Sequence, residues 1–260
     1  MNNADTLMIE GLSVLPENTN CSIDSGWSYI PYLRKTSASI IDMLSTIVSD
    51  IVMVKNYLGD VYWPLYNINM IGNMDPGEGY QIKMNNSATL SYPANTSNFS
   101  KSNIQTPQTN HFKGTPNTGS NMTLGIPKTA WENEPPYGSE IGIFSENGKL
   151  VGCSVFEEEN LAISIWGNDE LTVEIDGMIE NEMFIAKIWN NGIEEVIEVK
   201  NWFEGNEFYK TNKISIVEKL SIVNSQLSTV MLFQNIPNPF KEETKIKYYM
   251  PFETEIELSV

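Results

Sequence analysis

The chain has 260 residues and a formal net charge of −17, with 33 acidic residues against 16 basic ones. That balance argues against a nucleic-acid partner, since phosphate contacts need stripes of lysine and arginine, and against an anionic membrane surface. No stretch approaches the roughly 20 apolar residues of a spanning helix. With 41% hydrophobic residues, the composition is that of a globular protein with room for one large domain or two to three small ones.

In chain order, Met1-Asn2-Asn3-Ala4-Asp5 carries neither the basic nor the apolar region of a secretory leader. A cytoplasmic protein and a piece cut from a longer secreted chain both read this way. Two cysteines, Cys21 and Cys153, lie far apart in sequence. They form neither a disulfide framework nor a zinc motif, and each is expected to act as a small, partly buried apolar residue. Between them, Ile40, Ile41, Leu44 and Ile47 recur at helical spacing, which predicts one short helix near 37–47 with Thr36 or Ser37 at its cap. Gly77-Glu78-Gly79 reads as a tight turn into Tyr80–Met84, whose alternation marks a half-buried strand.

An Asn-, Ser- and Thr-rich stretch predicts a linker over 95–109. Beyond it, Asn147-Gly148 separates two apolar runs, Glu140–Phe144 and Leu150–Phe156, as a type I′ hairpin turn does. Asn191-Gly192 does the same between Met183–Trp189 and Glu195–Val199. Leu161–Trp166 alternates, and Asp176-Gly177 marks a further turn. A second break falls at 224–229. The fold class expected is therefore mainly β: a β-rich module over 1–94 with one short helix, a β-sandwich-like module over 110–223, and a short β segment over 230–260.

Chemistry-bearing patterns are sparse. His111 is the sole histidine, so a Ser-His-Asp triad or a histidine metal site would have to use it. It sits at the linker edge with no nucleophile motif nearby. Glu157-Glu158-Glu159 is the densest acidic run, read as a solvated tip. Calcium is the one cofactor considered: Asp169 and Asp176, with Glu170 and Glu180, offer oxygens near turns, although no calcium-loop motif is present. The six tryptophans supply the main binding hypothesis. Trp27, Trp166 and Trp189 lie in strand patterns and are expected in the core. Trp63, Trp131 and Trp202 flank prolines or polar residues and are expected to be partly exposed, able to stack on sugar rings.

The end of the chain carries the most specific signal. Gln234-Asn235-Ile236-Pro237-Asn238-Pro239-Phe240 is followed by the alternating run Thr244–Pro251. This resembles the opening of the C-terminal sorting domain of type IX secretion cargo in the Bacteroidetes. Two prolines make a stiff turn ahead of a strand, on which Ile246, Tyr248 and Met250 share a face. The match covers about the first two-fifths of that domain, so residues 232–260 are expected to pack poorly or to lie against the preceding module. Gly26-Trp27, Tyr62-Trp63-Pro64 and Gly77-Glu78-Gly79-Tyr80, and in the second module Glu140-Ile141-Gly142 and Leu150-Val151-Gly152, are similar to modules found ahead of such domains.

The resemblance implies a secreted or outer-surface location and the type IX machinery as a partner; a surface glycan, read from the tryptophans, or another surface protein is the expected ligand. It implies no reaction. The expected function is a non-catalytic structural or adhesive segment. The alternative is a carbohydrate-binding accessory module of a secreted hydrolase.

Overall fold

The computed structural model describes residues 14–104, 106–223, 231–232, 235, 243–246 and 248–249. The chain is mainly β, as the alternation predicts, and divides into two compact units between Thr106 and Pro107. No helix among the described residues is long and apolar enough to cross a membrane.

The first unit runs β1 (Cys21–Ile23), β2 (Gly26–Pro31), β3 (Ala38–Ser39), α1 (Ile40–Met43), β4 (Ile51–Lys55), β5 (Val61–Trp63), β6 (Ile68–Asn69), β7 (Asn73–Met74), β8 (Gly79–Met84) and β9 (Ala88–Leu90). Its main sheet has the order β2-β8-β4-β5-β6, with neighbours antiparallel throughout. The predicted alternation of β8 is met: Tyr80, Ile82 and Met84 are buried and the residues between them are not. They face a core that includes Ile30, Val54 and Tyr62 from neighbouring strands and Ile40, Met43, Leu44 and Ile47 from the helical segment.

That helix is shorter than its apolar spacing suggests. It spans four residues and then loosens into turns, leaving Ile41 about half exposed. Ser39 occupies the cap position without a side-chain bond, while Ser37 donates its hydroxyl to Asp75. Two β-branched residues at its start and no cap bond favour an early end.

The Asn-rich stretch is held to the first unit along most of its length. The Asn95 side chain accepts the Lys35 amide at 2.8 Å, and Asn73 exchanges two bonds with the Ser102 backbone. The buried Arg34 guanidinium donates to the Ser97 carbonyl at 2.7 Å and lies over the Phe99 ring. Short polar side chains that read as linker composition here supply backbone hydrogen bonds.

The second unit holds β10 (Asn121–Ile126), β11 (Glu140–Phe144), β12 (Leu150–Val155), β13 (Leu161–Trp166), β14 (Ile185–Asn190), β15 (Ile193–Glu204) and β16 (Ile214–Val223). They form one seven-stranded sheet in the order β12-β11-β14-β15-β16-β10-β13, with β10 and β16 parallel and all other pairs antiparallel. The edge strands β12 and β13 come together at Gly152, where a Cβ would meet the Ser164 carbonyl oxygen at 2.5 Å. The sandwich-like expectation thus takes the form of a single sheet, nearly closed around Met122, Leu124, Ile141, Ile143, Val151, Ile163, Ile165 and Ile188.

The two hairpins differ. Asn191 and Gly192 both have positive φ, +48° and +86°, which is the predicted type I′ turn. At the other, φ is positive at Gly148 but not at Asn147, and the Gly148 amide bonds the Ser145 carbonyl. That turn is type I with Gly148 left-handed after it, and the register shifts between Ile143 and Phe144. The longer loop, not the Asn-Gly pair, selects the turn. Near the chain end, β17 (Met231–Leu232) pairs with β18 (Tyr248–Tyr249).

Candidate functional site

The tryptophans do not fall where their neighbours in sequence imply. Trp63 is only 2% exposed and Trp131 8%. Pro64 opens a 3-10 turn that brings the Tyr66 ring edge-on to Trp63 at 4.6 Å. Trp131 packs edge-on against Phe156 in the second core. Trp202 is half-buried against the same core, with its ring near Phe184. These three form no exposed row. Trp166 is in the core as expected, but Trp27 and Trp189 are only half-buried.

The proposed calcium ligands serve their own loop. One Asp176 carboxylate oxygen accepts the Asp169 amide at 2.9 Å, and Asp169 accepts the Leu171 amide at 2.9 Å. The Thr172 hydroxyl reaches the second Asp176 oxygen at 3.4 Å. Among the described residues no cluster of three His, Cys, Asp or Glu side chains is placed to hold a metal. These bonds close a loop that leaves Leu171 and Val173 fully in solvent. The run Glu157–Glu159 is an exposed turn between β12 and β13, as expected.

His111 belongs to a partly covered patch on the outer face of the second sheet, its own side chain 39% exposed. Its ring stacks on Trp189 at 4.8 Å, and its Nε2 lies 3.3 Å from Glu194, which also pairs with Lys187 at 2.7 Å. The anchor is Glu140, buried on β11. Its carboxylate accepts three successive amides, from Asn110 at 2.7 Å, His111 at 2.8 Å and Phe112 at 3.0 Å. Burial alone would raise its pKa; the amides and the His111 charge outweigh that and hold it below the ordinary value. Phe112 then covers Gly142, where a Cβ would meet its ring at 2.9 Å. Beside it, Cys153 contacts the Thr109 hydroxyl at 3.4 Å, and burial pushes its thiol pKa up, the reverse of an activated nucleophile. In sequence Glu140 only opens a strand; a charged residue leading an apolar run is the one signal that marks it.

A cleft of about 620 Å³ in the second unit is lined by Asn206, Phe208, Lys210, Lys213 and Lys245 with Glu146. Lys213 is already committed there to Asn206 and the Phe208 carbonyl. Of the sorting-motif residues, Asn235 donates to the Thr244 hydroxyl at 3.1 Å. Gln234, Pro237, Asn238, Pro239 and Phe240 lie outside the described residues.

The outer face of the first sheet is different. Trp27 and Tyr29 stand on one face of the edge strand β2, and Tyr29 is 80% exposed. Directly opposite them on β8 are Lys83 and Gln81, and next on β4 are Met53 and Lys55. Paired positions point the same way, so these six side chains share a surface that is open at β2 and buried by β4. Lys55 and Lys83 hold their ammonium groups 5.1 and 5.7 Å from the centre of the Trp27 ring. Burial, with repulsion from Lys83 second, lowers the Lys55 pKa to about 7.

Two half-exposed or exposed aromatics spaced two residues apart, beside an amide and an ammonium, can stack on a flat ring and bond its hydroxyls. The sequence held the alternation Trp27-Ser28-Tyr29, but not the fact that β2 is an edge strand. No protein-family model matches the chain, and neither a curated protein nor a solved structure matches it.

Proposed function

We propose that this chain is a non-catalytic adhesive segment of a secreted or cell-surface bacterial protein, and that it holds a glycan on the open outer face of β2 and β8. The observation that carries the reading is Tyr29, 80% exposed on the same strand face as Trp27. A large aromatic left in water at a sheet edge, beside Gln81 and Lys83, is what sugar stacking needs. The surface location rests on the resemblance of Gln234–Phe240 and Thr244–Pro251 to a type IX sorting domain. On this reading the first unit carries the face, and a hydrolase elsewhere in the same protein would make the segment its accessory.

The test is a glycan array probed with the full chain and with Tyr29→Ala. Binding that the substitution abolishes supports the reading; an array with no signal for the parent chain overturns it. A second reading follows from Leu171 and Val173, which stand in solvent on a loop braced by Asp169 and Asp176. There the adhesive contact is with another surface protein, and Leu171→Ser/Val173→Ser would remove attachment that Tyr29→Ala leaves intact.

A further inference from the structure

We infer that the cleft of the second unit is a binding site for a small molecule carrying at least two anionic groups, carboxylate or phosphate, held between Lys210 and Lys245. The site belongs to the other unit from the β2–β8 face and does not rest on the glycan reading.

The cleft, at about 620 Å³, has the size of a small-molecule site, for which roughly 300–1,000 Å³ is usual. The fold brings its lysines together from separate stretches of the chain. Lys210 and Lys213 stand on the connection between β15 and β16. The Lys213 amide closes a turn there on the Lys210 carbonyl at 3.0 Å, with Asn212 left-handed at φ +63°, which asparagine tolerates better than most residues. Lys245 arrives from the stretch ahead of β18. The Lys213 ammonium is bonded to Asn206 and to the Phe208 carbonyl, so it is a fixed charge in the wall. Burial lowers its pKa, Glu207 opposes that, and Lys210 adds to it, so Lys210 lies close enough to act on it. Lys210 and Lys245 are exposed and supply the ligand's contacts.

What marks the site is convergence, three lysines around a cleft to which one acidic residue, Glu146, contributes. Elsewhere in this unit Lys128, Lys187, Lys200 and Lys219 are each met by a glutamate. Around the cleft the glutamates turn to the backbone instead. Glu180 accepts the Thr211 amide at 2.9 Å, and Glu182 accepts the amides of Glu146 at 3.1 Å and Ile179 at 2.9 Å. Glu146 itself accepts the Met183 amide at 3.3 Å. These carboxylates shape the loops of the cleft, and the positive charge is left for a ligand. A lysine meets an anionic group as a point charge, and two lysines from different stretches call for two such groups. Each contact is a charge-assisted bond. The rest of a chain with net charge −17 repels anions, so binding at one site, weakened by salt, follows.

The experiment is calorimetric titration of the full chain at low salt with citrate, with pyrophosphate and with trimethyl citrate, which keeps the carbon skeleton and loses the charge. The expected result is one-to-one binding of citrate, of pyrophosphate or of both, which tells the carboxylate from the phosphate source, with the ester about tenfold weaker or more. Lys210→Gln and Lys245→Gln each weaken the anion about fivefold or more, as the loss of one charge-assisted bond does. Both side chains are exposed, so the melting temperature should hold. Lys219→Gln, which removes an exposed charge outside the cleft, and Tyr29→Ala leave the affinity unchanged. No binding of either anion, equal binding of citrate and its ester, or a loss in Lys219→Gln equal to that in Lys210→Gln overturns the inference. The glycan reading is untouched by any of these results, since it is read from the array and Tyr29→Ala.

Discussion

The outer faces of the two sheets are built from similar parts and end in different states. On β11 and β14 of the second unit, Trp189, Phe144 and Lys187 are overlaid by the 109–112 loop. Glu194 neutralises Lys187, and His111 covers Trp189. On β2 and β8 of the first unit, Trp27 and Tyr29 sit beside Lys83, and Tyr29 remains in water. The difference comes down to one buried carboxylate. Glu140 gathers three amides and so binds a lid of the chain's own making; the first sheet has cations in the corresponding role, and among the described residues nothing covers Tyr29 on β2. A covered carboxylate contributes stability, and an exposed aromatic is available to a ligand.

The strongest way to break the comparison is to remove that carboxylate. Glu140→Ala leaves three amides without an acceptor, a loss of about 3–5 kcal/mol by analogy with other buried charges deprived of a partner. Urea unfolding of the variant should show this, and hydrogen exchange at Asn110, His111 and Phe112 should rise with it. Unchanged protection of those three amides would show that the lid is held by Phe112 packing alone. In the parent chain the contribution is present above the unfolded carboxylate pKa. It is lost as pH falls through the folded value, which lies lower.

Lys55→Met probes the opposite face. The folded chain gives up the Lys55 proton near pH 7, while the unfolded chain keeps it to about 10.5. Between those values the unfolded state binds more protons, so the parent gains stability as pH rises. The methionine variant has no such slope. It should be more stable than the parent by about 1–4 kcal/mol at pH 6, with the advantage shrinking as pH approaches 10.5. A pH-independent difference in melting temperature would mean that Lys55 is not the group under strain.

Gly142→Ala tests how tightly the lid fits. The added methyl would meet both Phe112 and Phe144 at 2.9 Å, and both are side chains that can give way. A loss of about 1–3 kcal/mol is expected, as for other overpacked sites. A neutral result would show that the two rings move aside freely.

These contrasts were only partly legible beforehand. The alternation of Tyr80–Met84 and the Asn191-Gly192 turn are local signals, and both are realised. The tryptophans differ from expectation because exposure depends on packing in three dimensions rather than on neighbours in sequence. Pro64 beside Trp63 reads as a loop, yet it begins the turn that brings Tyr66 against the indole. Trp27 reads as core because its strand alternates, and only the strand order places it at an edge. The near-closure of the second sheet depends on Gly152 meeting Ser164, a contact between two edges that no pattern in either strand announces. Glu140 and Lys55 are charged residues inside strands, and their importance comes from burial, which local composition does not encode.

The smallest expected effect on stability belongs to the residue on which the functional reading depends most. Tyr29 is 80% exposed, so Tyr29→Ala should change the unfolding free energy by no more than about 0.5 kcal/mol. Its effect on glycan binding should be far larger, since stacking on a single aromatic is commonly worth about 1 kcal/mol or more, a fivefold or greater loss of affinity. The two measurements pull apart only if the side chain is retained for a partner rather than for the fold. A variant that loses stability instead would place Tyr29 with the packed aromatics Phe112 and Trp189 of the second unit, and the contrast between the two faces would disappear.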